Sequence, residues 1–471
     1  MIRKKQIYKP KTQAMPHQIE AINYLYDKQE VALFDEQGLG KTKIVIDSLC
    51  LSMKNSALEG VLVVAPMSLL YNWEQEVAKH SFLIPIVLRG GEREKRYKFL
   101  TGANFYITNY EGVVAELERI KRFCKSRQVA IVLDESARIK DPATKSAQAL
   151  FVLRPFSAKR IIITGTPVAN RPIDLWSQYY FLDGGKLLGD DFSAFKSKYN
   201  EKNDDYTEHL DELKIIISQH SLRRCKNDVL ELPEKKYINV YVELAGKQLE
   251  QYNNLREELR IEVQDMDGNR VIDEAENILK KLLRLTQIAS NPYMVDKSYD
   301  GTPSKFNTLD GLLEEITSRG EKAIVWTSFV ENITNLRSRY KKYNPLIIHG
   351  DVPIKERAEA VKAFQESDKN IVLIANPAAA REGLTLTRAN NAIYLDRNFN
   401  LVDYLQSQDR IHRISQTKPC NIYKIIGKHT IDEYIDRVIE VKTDIAAFVQ
   451  SDRRELQSDS SEFLLNKKEL L

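Results

Sequence analysis

Hydrophobic residues recur along this 471-residue chain in two alternating patterns. Short runs rich in β-branched residues predict buried strands, and stretches with apolar residues three and four positions apart predict amphipathic helices. In the first half of the chain the predicted strands are residues 61–65, 105–108, 129–133 and 160–164. Strands that alternate with helices in this way are typical of an α/β protein with a parallel sheet.

The alternation stops near residue 175 and resumes after Pro233, which predicts two α/β domains. A chain of this length ordinarily exceeds what one hydrophobic core supports. The first predicted lobe is residues 1–228, with a helical excursion at about 175–222. The second is residues 229–450, with a helical insertion at about 245–292. A flexible polar tail is predicted at residues 451–471.

The second half repeats the strand and helix patterns of the first. Leu309, Leu313 and Ile316 lie on one helical face, which predicts packing against a core. Leu279, Leu282 and Leu283 are likewise predicted to face a core, with the basic residues between and beside them in solvent. The predicted strands of this half are residues 237–244, 323–326, 346–348, 371–374 and 392–395.

Composition restricts the class of protein. Hydrophobic residues make up 43% and charged residues 29% of the chain, as in folded globular proteins. No apolar stretch approaches the roughly 18 residues of a membrane span, so we expect no membrane partner. The four cysteines are scattered, which argues against a metal knuckle or redox motif and favours a reducing compartment. The net charge of +4 does not by itself indicate a polyanion partner.

Candidate chemistry begins with a glycine-containing loop at residues 35–42, DEQGLGKT. Gly38 and Gly40 leave backbone N–H groups free to turn towards an anion. Lys41 supplies a positive charge for the β- and γ-phosphates, and Thr42 places a hydroxyl where Mg²⁺ is coordinated. A helical pattern follows, and its N-terminal dipole adds to the attraction. The loop therefore predicts binding of ATP with Mg²⁺.

A second candidate site follows the strand predicted at residues 129–133, which ends in two adjacent carboxylates. Asp134 at the end of the strand is suited to hold Mg²⁺, and Glu135 is suited to orient and deprotonate an attacking water. An Asp-Glu pair after a strand also occurs in ordinary solvated turns. The glycine loop upstream favours the catalytic interpretation.

A third candidate element lies in residues 406–416, QSQDRIHRISQ. Arg410 and Arg413 are three residues apart, so on a helix they would share a face. Such a pair is often a solvated surface or a site for an acidic partner. A guanidinium presented to the γ-phosphate from a second domain would instead stabilise the transition state, an effect of about 10³ to 10⁵ in rate.

Taken in chain order, the segments resemble the motifs of superfamily two helicase-like ATPases, and within them the Swi/Snf-type translocases. The resemblance covers nearly the whole chain. Its segments are residues 15–25 (MPHQIEAINYL), 35–42 (DEQGLGKT), 64–79 (VAPMSLLYNWEQEVAK), 107–111 (ITNYE), 133–140 (LDESARIK), 163–177 (ITGTPVANRPIDLWS), 222–233 (LRRCKNDVLELP), 281–292 (KLLRLTQIASNP), 324–329 (IVWTSF), 349–364 (HGDVPIKERAEAVKAF), 381–400 (REGLTLTRANNAIYLDRNFN) and 406–416.

This resemblance implies an α/β fold of two tandem RecA-like parallel-sheet lobes, with helical insertions and an ATP cleft between the lobes. It implies a DNA-dependent ATP hydrolase that moves along double-stranded DNA, forked or branched duplexes included. The implied nucleotide contacts are Gln18, Gly38, Leu39, Gly40, Lys41, Thr42 and Gly383. The implied catalytic residues are Lys41, Asp134, Glu135, Arg410 and Arg413, and the implied metal ligands are Thr42 and Asp134. The implied DNA contacts are Ser68, Thr108, His349, Gly350 and Thr385.

The chain departs from the family pattern in places. Ala137 stands where the acidic box usually ends in His, and Ala169 stands where a Gln is usual. Because alanine has no polar side chain, neither position can form the hydrogen bond that usually helps to connect the nucleotide to the DNA-contact segment. Asn-Pro at residues 376–377 replaces a common Ser-Thr pair, so Thr385 or Thr387 would have to supply that phosphate contact.

Other functions stay open on the sequence. A strand-separating helicase on DNA or RNA would share every ATPase residue, and a non-catalytic ATP- and DNA-binding assembly factor is a more distant alternative. The family also implies chromatin remodelling, but no histone-reading module, zinc-binding ring or nuclease pattern accompanies the two lobes. We therefore expect a stand-alone motor in the cytoplasm of a bacterium or phage-infected host, acting in DNA repair, recombination, replication or defence. The sequence leaves a protein partner open and does not identify one.

Overall fold

The computed structural model describes residues 10–168, 170–201, 203, 205–264, 275–382 and 384–456. The chain forms two structural units. The first contains the residues up to Glu231 and a further segment that starts at Asp444, and the second contains Leu232–Thr443. The break after Glu231 lies close to the boundary predicted at residue 228.

Strands of the first unit are β1 Glu30–Leu33, β2 Gly60–Val64, β3 Ile86–Val87, β4 Phe105–Thr108, β5 Val129–Asp134, β6 Lys159–Ile163 and β7 Ser221–Leu222. In the described residues they form one seven-stranded sheet in the order β3-β4-β2-β5-β6-β1-β7, with parallel neighbours throughout. Strands β2 and β5 are buried almost throughout, as expected where helices cover both faces. The carboxyl ends of β5, β6 and β1 therefore meet at one edge.

Helices of the first unit connect these strands and cover the sheet. Their amphipathic faces bury Leu25, Ile44 and Trp73 in a core that also contains Val63 and Ile161 of the sheet. The helices are α1 Pro16–Asp27, α2 Lys41–Lys54, α3 Leu70–His80, α4 Glu92–Leu100, α5 Tyr110–Ala115, α6 Leu117–Ser126, α7 Lys145–Leu153, α8 Trp176–Asp183, α9 Phe192–Lys198, α10 Tyr206–His220 and α11 Lys226–Val229.

Strands of the second unit are β8 Lys235–Val242, β9 Lys322–Trp326, β10 Leu346–Ile348, β11 Val372–Ala375, β12 Ala389–Tyr394 and β13 Cys420–Gly427. Within the described ranges they form a six-stranded sheet in the order β10-β11-β9-β12-β13-β8, again with parallel neighbours. The helices are α12 Gly246–Gln264, α13 Ala275–Ser290, α14 Ser304–Ser318, α15 Val330–Arg339, α16 Ile354–Glu366, α17 Leu401–Gln408 and α18 Ile431–Val449.

Two parallel α/β sheets confirm the predicted fold class, and each strand predicted from the pattern is present near its predicted position. The pattern missed β1, β3, β7 and β13. Strands β3 and β7 have only two residues each, which is too short for a periodic signal. In β13 the apolar run is interrupted by Asn421 and Lys424, and Lys424 is buried because its ammonium group pairs with Asp436 at 2.9 Å.

The two predicted helical faces of the second unit had different outcomes. Leu309, Leu313 and Ile316 of α14 are buried, as predicted. Leu279 and Leu283 of α13 are 64% and 52% exposed and Leu282 is half-buried, so that prediction was wrong for Leu279 and Leu283. The buried positions of α13 include Leu285 and Ile288, and the helix packs along α12.

Residues 444–456 pack with the first unit, although the sequence pattern predicts residues up to 450 in the second lobe and residues 451–471 in a tail. Lys214 of α10 explains this placement, since its ammonium group donates hydrogen bonds to the carbonyl oxygens of Arg453 and Arg454, both at 2.9 Å. Residues 451–456 are thus bound to the first unit, while the rest of the predicted tail lies outside the described residues.

Candidate functional site

The glycine loop links β1 to α2 at the carboxyl edge of the first sheet. Gly38 and Gly40 have φ values of 92° and 81°, in the left-handed region that favours glycine. A Cβ atom added at Gly40 would lie 2.3 Å from Nε2 of Gln18. The loop therefore requires glycine at this position for both its backbone conformation and its packing, and α2 begins at the next residue, Lys41.

Gln18 lies beside this loop, where the resemblance placed a nucleotide contact. Its side chain accepts a hydrogen bond from the backbone N–H of Met15 at 3.0 Å and donates one to the carbonyl oxygen of Leu39 at 3.2 Å. The structure thus brings Gln18 beside Leu39 and Gly40, although Leu39 lies 21 positions later in the sequence. Recognition of adenine by Gln18 stays a prediction.

The ammonium group of Lys41 is held at the start of α2. Its Nζ atom donates hydrogen bonds to the carbonyl oxygens of Asp35 at 2.7 Å and Glu36 at 3.2 Å. Burial lowers the pKa of Lys41, and the carboxylates of Glu135, Asp35 and Asp134 oppose that shift. The lysine and the acidic pair therefore lie within electrostatic range of one another.

Asp134 ends β5, and neighbouring groups orient its carboxylate. Nε1 of Trp73 donates a hydrogen bond to Oδ2 at 2.7 Å, and the backbone N–H of Glu135 donates one to Oδ1 at 2.9 Å. Burial, together with the negative charge of Glu135, raises the pKa of Asp134 to about 6. Glu135 has φ 51° and ψ 52°, a left-handed conformation that is costly for a non-glycine residue. Backbone strain of this kind is concentrated at functional sites.

Replacement of Asp134 by asparagine is expected to stabilise the nucleotide-free protein at neutral pH. The pKa of Asp134 is about 6 in the folded protein and 3.8 ordinarily, so between those values the folded state binds a proton that the unfolded chain does not. The carboxylate therefore destabilises the fold progressively as the pH rises through about 6. We expect Asp134→Asn to raise the free energy of unfolding at pH 8 by about 1–3 kcal/mol, measured by urea denaturation.

The gain from Asp134→Asn should shrink as the pH falls towards 4, because the native carboxyl is then already neutral. Asp211→Asn, at an exposed position of α10, serves as the control and should show no such pH dependence. A gain that is the same at pH 5 and pH 8 would contradict the assignment of the effect to this carboxylate.

The chemistry of the donor groups fits Mg²⁺ bound together with a nucleotide. Thr42 offers a hydroxyl at the start of α2 and Asp134 offers a carboxylate, and both are hard oxygen donors. In the described part of the chain no group of three or more His, Cys, Asp or Glu side chains could hold a metal alone. Mg²⁺ commonly takes one or two protein oxygens and completes its shell with water and phosphate, so this set is sufficient.

A second layer of charged residues supports the loop, and the sequence interpretation missed it. Asp35, fully buried, accepts hydrogen bonds from both Nε and Nη2 of Arg224. Lys226 is also buried, and its ammonium group lies 3.5 Å from Oε1 of Glu36. These cations follow β7, which pairs with β1 and so carries them to the loop. Sequence patterns could not reveal that Arg224 and Lys226 would pair with Asp35 and Glu36, because the partners lie about 190 positions apart.

A hydrogen-bonded link also joins the acidic box to the loop after β6. The hydroxyl of Ser136 donates to Oε1 of Gln178 at 2.7 Å, and Nε2 of Gln178 donates to the carbonyl oxygens of Pro167 and Asp174, both at 2.9 Å. Ala137 has no polar side chain for such a link. Gln178 was not among the predicted site residues, and Ala169 lies outside the described residues.

Gln178→Leu is expected to lower the free energy of unfolding by about 1–3 kcal/mol, because it leaves the buried Ser136 hydroxyl without its acceptor. The double variant Ser136→Ala/Gln178→Leu should lose less free energy of unfolding than the sum of the losses of the two single variants. Urea denaturation of the four proteins gives this double-mutant cycle. Additive losses would show that the two side chains do not stabilise each other.

The predicted DNA contacts of the first unit lie at two different depths. Ser68 sits in a short 3₁₀ turn, Met67–Leu69, and is partly exposed. Thr108 ends β4 and is fully buried, so its hydroxyl is not at the surface. Asn109, which follows it, caps α5 by accepting a hydrogen bond from the backbone N–H of Gly112 at 3.2 Å. DNA contact by Ser68 and Thr108 stays a prediction.

In the second unit the arginine pair is arranged differently from the sequence expectation. Helix α17 ends at Gln408, so Arg410 and Arg413 lie in the turns beyond it and not on a shared helical face. The reversal is fixed by the backbone N–H of Leu386, which donates to the carbonyl oxygen of Arg410 at 2.9 Å. Nη1 of Arg413 donates to the hydroxyl of Thr385 at 2.9 Å, and burial lowers the pKa of Arg413.

Two further predicted DNA contacts of the second unit, His349 and Gly350, precede the arginine pair by about 60 residues. His349 follows β10 and is largely buried, and Gly350 beside it is exposed. The carbonyl oxygen of Gly350 accepts a hydrogen bond from Nη2 of Arg357 at 2.7 Å, which orders the turn. Gly383 lies outside the described residues.

Comparison with known families agrees with this geometry. The SNF2-related domain matches residues 17–294, and the helicase conserved C-terminal domain matches residues 304–415. The chain belongs to the SNF2-related family. This confirms the predicted Swi/Snf resemblance, and the second match adds a helicase domain to it.

Several relatives share nearly the whole SNF2-related chain. It is 28% identical to the ISWI chromatin-remodeling complex ATPase ISW1 of Saccharomyces cerevisiae, over 90% of the chain and 39% of that protein. It is 28% identical to the human SWI/SNF-related matrix-associated actin-dependent regulator of chromatin subfamily A member 1, over 97% and 45%. It is 30% identical to the uncharacterized ATP-dependent helicase MG018 of Mycoplasma genitalium, over 88% and 39%.

The chain thus spans less than half the length of these curated relatives. A solved structure titled as the Sulfolobus solfataricus SWI2/SNF2 ATPase core in complex with dsDNA is 29% identical, over 99% of this chain and 97% of that chain, with a TM-score of 0.45. Among the described helices, none combines the length and hydropathy that a membrane crossing requires.

Proposed function

We propose that this chain is a motor that hydrolyses ATP and uses the energy to move along double-stranded DNA. The observation that carries the proposal is the cluster at the edge of the first sheet, where the glycine loop, Gln18, Lys41 and the Asp134–Glu135 pair meet. In the second unit, a helicase C-terminal domain match supports a motor rather than a simple nucleotide-binding protein.

Each residue of the cluster has a proposed role in hydrolysis. Lys41 binds the β- and γ-phosphates, and Thr42 and Asp134 would hold Mg²⁺. Mg²⁺ supplies positive charge to the phosphate oxygens when bound. Glu135 orients the attacking water and accepts its proton, for which its position beside Asp134 and within range of Lys41 is suited. Gln18, held against Leu39, is proposed to contact the adenine.

The arginines of the second unit complete the proposed chemistry. Arg410 and Arg413 are proposed to contact the γ-phosphate when ATP draws the two lobes together, which would make hydrolysis depend on domain closure. Burial and the hydrogen bond to Thr385 hold Arg413 in a defined orientation, which suits a residue that must present charge to one atom.

Movement along DNA requires that the two units bind and release the DNA in turn during each cycle of ATP binding and hydrolysis. We propose phosphate contacts from Ser68 and Thr108 in the first unit and from His349, Gly350 and Thr385 in the second. Because phosphate contacts carry no sequence information, binding should be independent of DNA sequence and weaken steeply with salt. The named relatives, a chromatin-remodelling ATPase and an ATP-dependent helicase, support a nucleic-acid track.

The setting of this activity is also a proposal. Similarity to Mycoplasma helicases supports a motor that works in the cytoplasm of a bacterial cell or phage-infected host. DNA repair, recombination, replication or defence would each use such a motor, on forked or branched duplexes as well as linear ones.

Phosphate release with different nucleic acids tests the substrate class. The rate should be measured with linear duplex, forked duplex, single-stranded DNA and RNA at one salt concentration. We expect duplex to stimulate most, and we expect the protein to displace the third strand of a triplex without separating the strands of a duplex. Preferential stimulation by single strands, with duplex unwinding, would favour a helicase instead. Lys41→Ala controls for a contaminating ATPase, since release should then disappear.

A further inference from the structure

The guanidinium group of Arg223 joins the ends of two neighbouring strands of the first sheet. Arg223 follows β7, and its Nη1 atom donates hydrogen bonds to the carbonyl oxygens of Phe34 at 2.5 Å and Gly165 at 3.0 Å. Phe34 follows β1 and leads into the glycine loop, whereas Gly165 lies after β6. A Cβ atom added at Gly165 would lie 3.5 Å from Nζ of Lys41, so the two joined loops both border the proposed phosphate site.

Asp452 holds this guanidinium from its other side. The two carboxylate oxygens of Asp452 accept hydrogen bonds from Nε of Arg223 at 3.0 Å and from Nη2 at 2.6 Å, which makes a bidentate pair. The side chains of Arg223 and Asp452 are only 15% and 19% exposed. Burial acts to lower the pKa of Arg223, but the carboxylate outweighs it and the pKa is raised. The pair is therefore bidentate and directional, which distinguishes it from an ion pair held by a single contact.

Asp452 reaches this position through the way in which α18 ends. Ser451 has φ 63°, in the left-handed region. The backbone N–H of Ser451 donates to the carbonyl oxygen of Phe448 at 3.0 Å, and that of Asp452 donates to Ala447 at 2.8 Å. These two bonds form the Schellman pattern that reverses the chain after a helix. The next residue after the reversal is thereby directed at Arg223.

Lys214 fixes the same segment from the opposite side. Its ammonium group lies 4.1 Å from the centroid of the Phe448 ring and donates hydrogen bonds to the two carbonyl oxygens that follow Asp452. Both a backbone motif and a side-chain anchor therefore determine the position of the Asp452 carboxylate. Residue 452 also lies beyond residue 415, where the helicase C-terminal match ends.

We infer that Asp452 is a positioning residue for the nucleotide site and acts through Arg223. Asp452→Asn removes the negative charge and replaces one of the two acceptor oxygens by an NH2 donor, so the bidentate pair is lost and the guanidinium must turn towards other partners. That turn would release the carbonyl oxygens of Phe34 and Gly165 and loosen the two loops around Lys41. The inference rests on the proposed ATP site, and it makes the C-terminal segment a requirement for tight nucleotide binding.

Kinetics of the full chain carrying Asp452→Asn test this inference. We expect the KM for ATP in duplex-stimulated hydrolysis, and the Kd for a fluorescent ADP analogue, to rise by about tenfold, with kcat changed by less than about twofold. The split is expected because Glu135 follows β5, whereas the two carbonyl oxygens that Arg223 bonds follow β1 and β6. Asp444→Asn is the matched control: it removes a carboxylate of the same segment that pairs with Arg453, and should leave KM unchanged. Asp452→Glu, which keeps the charge, should recover much of the affinity.

Equal KM and Kd values for Asp452→Asn and Asp444→Asn would overturn the inference, as would a fall in kcat alone. Thermal unfolding of both variants separates a general loss of stability from a local one. If Asp452→Asn does not fold, Arg223→Lys provides the test. A single ammonium nitrogen lacks the planar fork through which three separate nitrogens of Arg223 reach the two carbonyl oxygens and the carboxylate, so the same rise in KM is expected. A wild-type chain that binds the ADP analogue but hydrolyses no ATP would refute the proposed function, while the Kd comparison would still decide the role of Asp452.

Discussion

Arg413→Ala is expected to lower duplex-stimulated ATP hydrolysis by about 10³- to 10⁵-fold, while the affinity for ATP changes little. The reason is that a guanidinium beside the γ-phosphate stabilises charge that grows only in the transition state. Arg413 is suited to this because its Nε donates to the carbonyl oxygen of Asp409 at 3.0 Å and its Nη1 to Thr385, so its orientation is fixed before any nucleotide arrives. Steady-state phosphate release and equilibrium binding of a fluorescent ATP analogue measure the two quantities.

Two comparisons sharpen this test. Arg388→Ala removes an exposed arginine of the same unit that pairs with Asp368 at the surface, and it should leave the rate unchanged. Arg410→Ala should lower the rate and also the thermal stability, because Arg410 is only 2% exposed. A rate for Arg413→Ala within a few-fold of wild type would remove Arg413 from the mechanism, whatever the outcome at Arg410.

Glu135→Gln is expected to lower kcat by about 10²- to 10⁴-fold and to preserve ATP binding. Glutamine has nearly the same shape and no basic oxygen, so it cannot accept the proton of the attacking water. The left-handed backbone at this position, φ 51° and ψ 52°, is equally strained for both residues, so the substitution isolates the carboxylate. Single-turnover hydrolysis with saturating ATP measures the chemical step.

The control for Glu135→Gln is Glu118→Gln, on an exposed position of α6, which should have wild-type kinetics. A loss of ATP affinity in Glu135→Gln comparable to its loss in kcat would mean that Glu135 binds the nucleotide instead of activating water. Burst kinetics with a normal first turnover would instead place Glu135 in product release.

Local patterns along the chain sufficed for the first half of the site. DEQGLGKT and the carboxylate pair after a buried strand each carry their own signal, because a phosphate loop and a strand end are built from residues adjacent in sequence. The structure then placed Lys41, Asp134 and Glu135 within electrostatic range at the sheet edge, as parallel strands with aligned carboxyl ends require. DNA contact by Ser68 and His349 has no such local signature and stays a prediction.

The sequence interpretation was wrong where contacts between segments distant in the chain determine the local structure. Leu279 and Leu283 have helical spacing, but spacing alone does not reveal which face a neighbouring helix covers. Arg410 and Arg413 fall beyond the last turn of α17, because backbone hydrogen bonds to another segment reverse the chain there. Residues 451–456 are polar, which suggested a free tail, yet their backbone carbonyls and one carboxylate bind the first unit.

The sequence by itself determined the α/β class, the positions of most strands, and the residue types of the proposed nucleotide site, because these depend on hydrophobic period and on neighbours within a few positions. Only the tertiary structure decided that Asp35 would be neutralised by Arg224, that Gln178 would link Ser136 to the loop after β6, and that Asp452 would hold Arg223. Each of these pairings joins residues about 40 to 230 positions apart, and a buried charge or hydroxyl takes whichever partner the packing of distant elements brings within hydrogen-bond distance.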